Sequence, residues 1–198
     1  MKFLLIYPAW EKLDRQTRFI LPPHGPVVMA AALPPDVEVT FIDENVEPVD
    51  LGANADLVGI SMMLTAQVKR GWEIADSFRA RGIPVVCGGI AVMLHAEECT
   101  AHADAVFLGE AEGRMEQVFT DFKAGKLRKV YDYMQNFPPI ESVGTARRSI
   151  LKREMYNYRG VQMVDLVHAS RGCRFNCYPC AVRFLGGRSF RPRPYDRV

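Results

Sequence analysis

Long apolar runs, secretory leaders and repeats are all missing from this sequence. No apolar stretch in its 198 residues reaches the roughly 18 residues that a membrane-spanning helix needs. The segment up to Pro8 is too short and too strand-like for a signal peptide. We find neither internal repeats nor low-complexity segments. These absences favour a globular protein without a membrane span, which we expect to be cytoplasmic.

Cysteine is also scarce, with five residues in the chain. An odd number does not suit a disulfide framework. Three of the five, Cys173, Cys177 and Cys180, fall within eight residues, which favours metal binding. We predict that the other two, Cys87 and Cys99, are structural.

A strong excess of charge of one sign is absent from the whole chain but present in its last part. The net charge is +2, yet residues 147–198 hold 12 Lys and Arg against 3 Asp and Glu. Such a block is a nucleic-acid arm, a solvent-facing charge run or the wall of a site for anionic groups. We favour the third, because the block contains the cysteine cluster, and we expect no nucleic-acid partner.

The first 124 residues alternate between strand-like and helix-like segments. Composition is ordinary for a globular protein, with 48% hydrophobic and 24% charged residues. We predict strands over residues 2–7, 37–42, 56–61, 84–88 and 105–108, and helices over 24–33, 66–81 and 112–123. Strands that are apolar throughout are covered by helices on both faces. The pattern therefore predicts an α/β fold with a doubly wound five-stranded parallel sheet, whose ligand lies outside the carboxyl ends of the strands.

Periodicity weakens over residues 125–160, which we interpret as a linker. Residues 161–168 then predict a new strand that leads directly into Ser170-Arg171-Gly172-Cys173. The length fits one complete domain and part of another.

The spacing Cys-x-x-x-Cys-x-x-Cys at Cys173, Cys177 and Cys180 provides three thiolates without a fourth nearby ligand. An iron-sulfur cube held by three protein ligands leaves one iron open. The stretch from His168 to Cys180 resembles the cluster loop of the radical S-adenosylmethionine (SAM) superfamily. That resemblance implies a 4Fe-4S cluster whose open iron chelates SAM, and reductive cleavage of SAM to a 5′-deoxyadenosyl radical.

Two other interpretations of the cysteines stay open. A zinc site would have to recruit Cys87, Cys99 or His168 as its fourth ligand, and free cysteines without chemical function are the second alternative. The superfamily usually has an aromatic residue directly before the third cysteine, beside the adenine of SAM. Here Pro179 holds that place and Tyr178 comes one residue early, so Tyr178 is the candidate for this contact.

Further motifs resemble the subgroup that carries an N-terminal cobalamin domain. Residues 186–194 are similar to its Gly-Arg-x-aromatic-Arg-x-Arg stretch, and four earlier loops match in order: Pro22-Pro23-His24-Gly25, Val58-Gly59-Ile60-Ser61, Cys87-Gly88-Gly89 and Gly109-Glu110-Ala111-Glu112. The alternatives are a solvated basic loop and ordinary strand-to-helix turns. The resemblance implies a cobalamin-binding Rossmann-like domain over 1–124, the linker over 125–160, and the truncated start of a radical SAM partial (β/α) barrel over 161–198. The chain would then be a fragment of a longer enzyme.

The predicted cobalamin contacts lie at the carboxyl ends of the strands. Glycines let the backbone approach a large flat ligand, hydroxyls hydrogen-bond its amides, and apolar side chains form a floor. The candidate residues are Ser61, Met62, Met63, Leu64, Thr65, Gly88, Gly89, Ile90, Gly109 and Glu110. The motif Asp-x-His-x-x-Gly, by which many cobalamin carriers ligate cobalt, does not occur. The resemblance thus implies cobalamin with its own base off and no histidine on the cobalt.

The resemblance favours a cobalamin-dependent methyltransferase that acts on an unactivated carbon or phosphorus centre of a small molecule. An electron donor such as flavodoxin or ferredoxin would be its partner. A non-methylating radical reaction and a cobalamin- or metal-binding module without catalysis are the alternatives. Catalytic residues are not identifiable, and we expect the fragment alone to be inactive.

Overall fold

The protein is built around one parallel sheet. The computed structural model describes residues 1–12, 20–162 and 165–197. The strands of the sheet are β1 (Lys2–Tyr7), β2 (Glu38–Asp43), β3 (Leu57–Ser61), β4 (Val85–Gly88), β5 (Ala105–Leu108) and β6 (Val130–Asp132). They lie in the order β2-β1-β3-β4-β5-β6, and every neighbouring pair is parallel. The order reverses between β1 and β3, which is where doubly wound sheets bind their ligands.

The sheet has six strands, so the prediction of five is wrong in number. The additional strand, β6, lies within the predicted linker and pairs with β5 through Phe107 and Tyr131. Tyr131 is 2% exposed, and its hydroxyl donates a hydrogen bond to Asp121 at 2.9 Å. A strand of three residues with one buried side chain carries no periodic signal. The sheet thus extends beyond the predicted boundary at residue 124.

Helices cover both faces of the sheet, as the apolar strands predict. The three predicted helices are confirmed as α1 (His24–Ala31), α2 (Val68–Ala80) and α5 (Met115–Lys123), and two unpredicted short helices are α3 (Ile90–Leu94) and α4 (Ala96–His102). A 3-10 turn at Thr65–Gln67 precedes α2. Gly82, with a φ of +76°, follows the end of α2 as expected for a helix-terminating glycine.

Alternate residues of the inner strands enter two separate cores. Leu4 and Ile6 pack on the face covered by α2, α3 and α4. Phe3 and Leu5 pack on the opposite face, beneath α1 and α5. None of the helices in the described ranges is long and apolar enough to span a membrane.

The chain after β6 forms short elements. A hairpin pairs β7 (Asn157–Tyr158) with β8 (Val161–Gln162), and a second antiparallel pair joins β9 (Ser170–Arg171) to β10 (Arg191–Pro192) around α6 (Val182–Leu185). The 3-10 turns are Ile140–Ser142, Arg148–Ile150, Arg153–Met155 and Tyr195–Arg197. The strand predicted over 161–168 is thus limited to β8 in what is described. Its positions 163 and 164 lie outside the described residues, and residues 165–168 have no strand pairing.

Candidate functional site

A cavity of about 410 Å³ opens at the carboxyl edge of the sheet and extends between the sheet and helices α1 and α5. We call it the central cavity. Its inner wall is apolar and includes Leu5, Leu57 and Phe107 from the strands, Val28 from α1 and Val118 from α5. Sites for organic cofactors typically combine such an apolar interior with a few polar groups at the rim. The central cavity has the position and lining expected of a ligand site.

The rim of the central cavity collects most of the predicted contact residues. These lie at the ends of three different strands, β3, β4 and β5, whose carboxyl ends meet at one edge. They are Ser61, Met63, Gly88, Gly89, Ile90, Gly109 and Glu110. The fold therefore brings these seven positions around one space.

Three of the predicted positions lie elsewhere. The Met62 amide donates a hydrogen bond to the Gly88 carbonyl at 2.8 Å, which continues the strand pairing by one residue. The Met62 side chain is therefore buried, with its sulfur against Gly71 of α2. Leu64 and Thr65 are exposed and do not line the central cavity. Of the three residues predicted to form an apolar floor, Met62, Met63 and Leu64, only Met63 lines the central cavity.

The packing of the protein itself requires glycine at position 89. Its φ is +106°, and a Cβ built there would lie 2.4 Å from the carbonyl oxygen of Met62. Side chains are strained in this left-handed region. The glycine predicted from ligand approach is thus already explained by the packing of the β3 and β4 loops against each other.

Gln67 is a positioning residue that the sequence did not reveal. Its side chain is fully buried. The amide oxygen accepts hydrogen bonds from the backbone of Met63 and Leu64 at 2.8 and 2.9 Å, and Nε2 donates one to the Pro8 carbonyl at 2.6 Å. Gln67 therefore joins the loops after β1 and β3. A polar residue just before an apolar helix has no periodic signature that marks this role.

The C-terminal segment, residues 165–197, lies over the rim. Arg171 forms ion pairs with Glu110 at 2.9 Å and Glu112 at 2.6 Å, and Arg191 forms one with Glu110. All four side chains are at most 14% exposed. Gly172, Val182 and further segment residues line the central cavity. The acidic loop after β5 therefore holds the segment against the site.

The three clustered cysteines lie on a loop beside β9. Cys177 and Cys180 are exposed and Cys173 is partly buried. The Cys173 amide donates to the Gly187 carbonyl at 3.1 Å, so the stretch that begins at Gly186 runs alongside the loop. Gly172, with a φ of +74°, leaves no room for a Cβ, which would lie 2.1 Å from the Ser189 carbonyl oxygen. The two predicted C-terminal motifs are thus in contact.

No group of three His, Cys, Asp or Glu side chains in the described residues is arranged to hold one metal ion. A cube instead places its three thiolates on three different irons, farther apart than the ligands of a single ion. Cys87 and Cys99 are fully buried, and Cys99 accepts a hydrogen bond from Trp72 at 3.3 Å. Both agree with the structural role predicted for them, and neither joins the cluster loop. Tyr178 is 98% exposed and does not line the central cavity.

A second cavity of about 450 Å³ adjoins the central one, and we call it the lateral cavity. Gly25, Met63 and His168 line both. The lateral cavity is also lined by His24 and Asp43. Burial raises the pKa of Asp43, whose carboxylate accepts hydrogen bonds from Asn45 and Tyr156. The wall of the lateral cavity therefore contains both polar and apolar groups.

Comparison with protein families shows which family the sheet region belongs to. A family model described as the B12 binding domain matches residues 13–119. The chain belongs to this family. The match contains β2 to β5 and the rim loops of the central cavity, so the B12 binding domain of this protein carries its cavity at the edge where the strand order reverses.

Several curated relatives are methyltransferases by name. The chain is 29% identical to bacteriochlorophyllide d C-8(2)-methyltransferase of Chlorobaculum tepidum over 83% of its own length and 36% of the relative. It is 26% identical to bacteriochlorophyllide d C-12(1)-methyltransferase of the same organism over 100% and 43%. An uncharacterized methyltransferase of Synechocystis sp. is 28% identical over 98% and 37%. The chain thus spans well under half the length of these relatives.

The lining of the central cavity fits part of a cobalamin molecule. Its deep end is bounded by aliphatic and aromatic side chains and its rim by glycines, a serine hydroxyl and a carboxylate. A flat heteroaromatic group suits the deep end, and amide groups suit the polar rim. The residues present therefore fit the group that the family binds.

Proposed function

We propose that the protein is the cobalamin-binding and cluster-binding part of a radical SAM methyltransferase. The observation that carries the proposal is the contact between the B12 binding domain and the cysteine loop. Arg171, two residues before Cys173, pairs with the acidic loop at the rim of the central cavity. Such a contact supports one reaction space shared by two cofactors.

Cobalamin would occupy two regions of the central cavity, the apolar interior and the rim. Its apolar interior, between Leu57, Phe107 and Val118, suits the nucleotide base. Ser61 and the backbone of Gly88, Gly89 and Gly109 at the rim would contact the corrin and its amides. When bound, cobalamin supplies a methyl group for transfer.

The cysteine loop would hold a 4Fe-4S cluster through Cys173, Cys177 and Cys180. Thiolates are the ligands that iron-sulfur clusters require, and the exposure of Cys177 and Cys180 leaves them free to ligate. When bound, the cluster would supply the electron for reductive cleavage of SAM to methionine and the 5′-deoxyadenosyl radical. Tyr178 remains the candidate for contact with adenine.

Methyl transfer to a carbon centre of a small molecule is the favoured reaction. The names of two relatives specify methylation at C-8(2) and C-12(1) of bacteriochlorophyllide d, both carbon positions. Those names favour methylation over a radical rearrangement and over a binding module without catalysis. An electron donor such as flavodoxin or ferredoxin would reduce the cluster.

We also propose that residues 161–198 begin a barrel that continues in a longer chain. The relatives extend well beyond the matched part, and the C-terminal segment exposes large apolar side chains, with Phe184 at 71% and Phe175 at 61%. Further barrel strands would cover such surfaces. The sheet region with β6 and the residues up to 160 would then form the preceding domain and linker.

Anaerobic reconstitution of the full-length protein with iron and sulfide tests the proposal. We expect about four irons per chain, a reduced cluster visible by electron paramagnetic resonance (EPR), and a change in that signal when SAM is added. Alanine at any one of Cys173, Cys177 or Cys180 should abolish the signal. The matched control Cys99→Ala should retain it, because Cys99 lies in the sheet core. A single zinc ion per chain, or an iron signal that survives the cluster-loop substitutions, would contradict the proposal.

A further inference from the structure

The polar side chains that line the central cavity all lie at its rim. In the described part of the chain they belong to the end of β3, the loop after β5 and the C-terminal segment. They are Ser61, Glu110, Glu112, His168, Ser170 and Arg171. The side chains that α1, α3, α5 and the remaining strand positions present to the cavity are apolar. A group in the interior therefore has only apolar side chains around it.

The backbone of the sheet wall is already hydrogen-bonded. Gly59, which lines the cavity in the middle of β3, pairs with Leu5 of β1 on one side and with Val86 of β4 on the other. An inner strand of a parallel sheet uses its amide and carbonyl groups in the ladders with its two neighbours. In the described strands, the interior therefore offers a ligand no free backbone donor or acceptor from this wall.

The cavity extends deep along the sheet. Its lining on β3 runs from Ser61 at the carboxyl end to Leu57 at the first position of the strand. At the rise of a parallel strand, this stretch covers about 13 Å. A bicyclic aromatic base is shorter than this depth, so such a base can lie wholly inside the apolar interior.

An aromatic ring forms part of the interior wall. The ring of Phe3 lies across Gly59, where an added Cβ would be only 2.4 Å from Cζ of Phe3. Phe119 of α5 packs against the same ring edge to face, with the centroids 5.2 Å apart. Glycine at position 59 therefore makes room for an aromatic wall, and aromatic side chains pack favourably with flat aromatic groups.

Cobamides, the class of cofactors to which cobalamin belongs, carry nucleotide bases of different polarity. Dimethylbenzimidazole, the base of cobalamin, has a single free ring nitrogen when it is off the cobalt, and it has methyl groups. Adenine, the base of a related cobamide, has several free ring nitrogens and an amino group. Burial of unpaired polar groups opposes binding, whereas burial of methyl groups favours it. An apolar interior therefore discriminates between the two bases.

We propose that the central cavity selects cobamides with a benzimidazole base over cobamides with a purine base. The inference rests on the proposed cobalamin site and deepens it, because it specifies the nucleotide base that the interior accepts. Val86 is one of the residues that set this selectivity. It lines the cavity from β4, beside Gly59, and presents an aliphatic side chain where a purine would need a hydrogen-bonding partner.

The experiment compares three cofactors by equilibrium dialysis with the full-length protein. They are cobalamin, its adenine analogue and cobinamide, which has no nucleotide. We expect cobalamin to bind at least about tenfold more tightly than the adenine analogue, which corresponds to about 1.4 kcal/mol. Cobinamide should also bind more weakly than cobalamin, because it leaves the interior empty. Adenine is the weaker base and leaves cobalt more readily, so this difference opposes the expected preference and does not produce it.

The possible outcomes separate this inference from the proposed function. Equal affinities for cobalamin and the adenine analogue, or tighter binding of the analogue, would overturn the inference and leave the cobalamin site intact. Cobinamide that binds as tightly as cobalamin would overturn it too, since the base would then contribute nothing. If none of the three cofactors shows saturable binding, the proposed function fails together with the inference.

Two neighbouring valines provide a matched pair of variants. Val86 lines the central cavity, whereas Val85 packs in the core on the opposite face of the sheet. Threonine has nearly the shape of valine and adds a hydroxyl that donates and accepts. Val86→Thr should reduce the preference for cobalamin by at least about threefold, because the hydroxyl pairs with adenine but is unpaired beside benzimidazole.

Val85→Thr is the control and should keep the preference of the unaltered protein. The same preference in both variants would contradict the assignment of selectivity to the apolar lining. If Val86→Thr does not fold, as judged by circular dichroism, the comparison of the three cofactors on the unaltered protein still decides whether the cavity selects the base.

Discussion

The sheet region and the C-terminal segment differ in how their large apolar side chains are covered. In the sheet, Ile60 and Phe78 are at most 1% exposed. In the segment, Phe184 and Phe190 are 71% and 59% exposed. The sheet region has two apolar cores of its own. The segment is attached through polar contacts, which include the ion pairs of Arg171 and Arg191 in its two strands.

Because of this difference, we expect the sheet region to determine the stability of the protein and the C-terminal segment to contribute to its function. The B12 binding domain obtains its free energy of folding from apolar burial, which does not depend on the segment. The segment instead contributes three exposed or partly exposed cysteines and part of the lining of the central cavity. Substitutions in the two regions should therefore have effects of different size on different measurements.

The largest difference between the two regions should appear in the free energy of unfolding when one phenylalanine in each is replaced by alanine. Phe78→Ala removes a fully buried ring, and we expect it to lower the free energy of unfolding by about 3–5 kcal/mol. Phe184→Ala removes an exposed ring and should change it by less than about 0.5 kcal/mol. Urea unfolding followed by far-ultraviolet circular dichroism measures both. Similar losses in the two variants would mean that the regions share one core.

A smaller effect should follow when the ion pairs between the regions are broken. Arg171→Met removes the ion pairs to Glu110 and Glu112 and leaves only that between Arg191 and Glu110. We expect docking of the segment to weaken by about 3 kcal/mol. Limited proteolysis should then cleave the segment faster, while the sheet region keeps its unfolding midpoint. Arg188→Met, at an exposed arginine, is the control and should be cleaved like the unaltered protein. Equal protection in both variants would show that the ion pairs do not hold the segment.

The smallest effect should be on the pH dependence of stability, through His24. Leu166 and His168 of the segment help to bury this residue. The pKa of His24 is about 4 in the folded protein against an ordinary value of 6.5. The unfolded chain therefore takes up the proton first, and stability is lost as pH falls from 6.5 toward 4, by at most about 3 kcal/mol. His24→Gln should remove this part of the pH dependence. Unfolding curves measured at several pH values in this window would contradict the account if both proteins lose stability equally.

Apolar periodicity predicted the sheet more completely than the site. The predicted bounds of β1 and β5 agree with the structure at both ends, because every residue of these strands except Lys2 is buried. β6 has a single buried residue and gave no such pattern. Short helices such as α3, with five residues, are similarly below the length at which a helical period is recognisable.

The site was predictable where loops follow strands directly. Ser61, Gly88 and Gly109 were placed correctly at the rim because parallel strands bring their carboxyl ends together. Met62 was not, because its orientation depends on one more backbone hydrogen bond, to Gly88. The role of Gln67 depends on its contact with Pro8, and the role of Arg171 on its contact with Glu112. Each contact joins residues that are 59 positions apart in the sequence. Local sequence patterns do not contain such contacts.

Binding of cobalamin in the central cavity is tested most directly by two substitutions in one helix. Ile90 lines the cavity, whereas Leu94, in the same helix and 54% exposed, does not. Equilibrium dialysis with hydroxocobalamin should show one saturable site in the unaltered protein and an unchanged Kd in Leu94→Trp. Ile90→Trp, which fills the rim, should bind at least about tenfold more weakly, a loss of about 1.4 kcal/mol. Equal affinity in all three proteins, or no saturable binding by the unaltered one, would contradict the account.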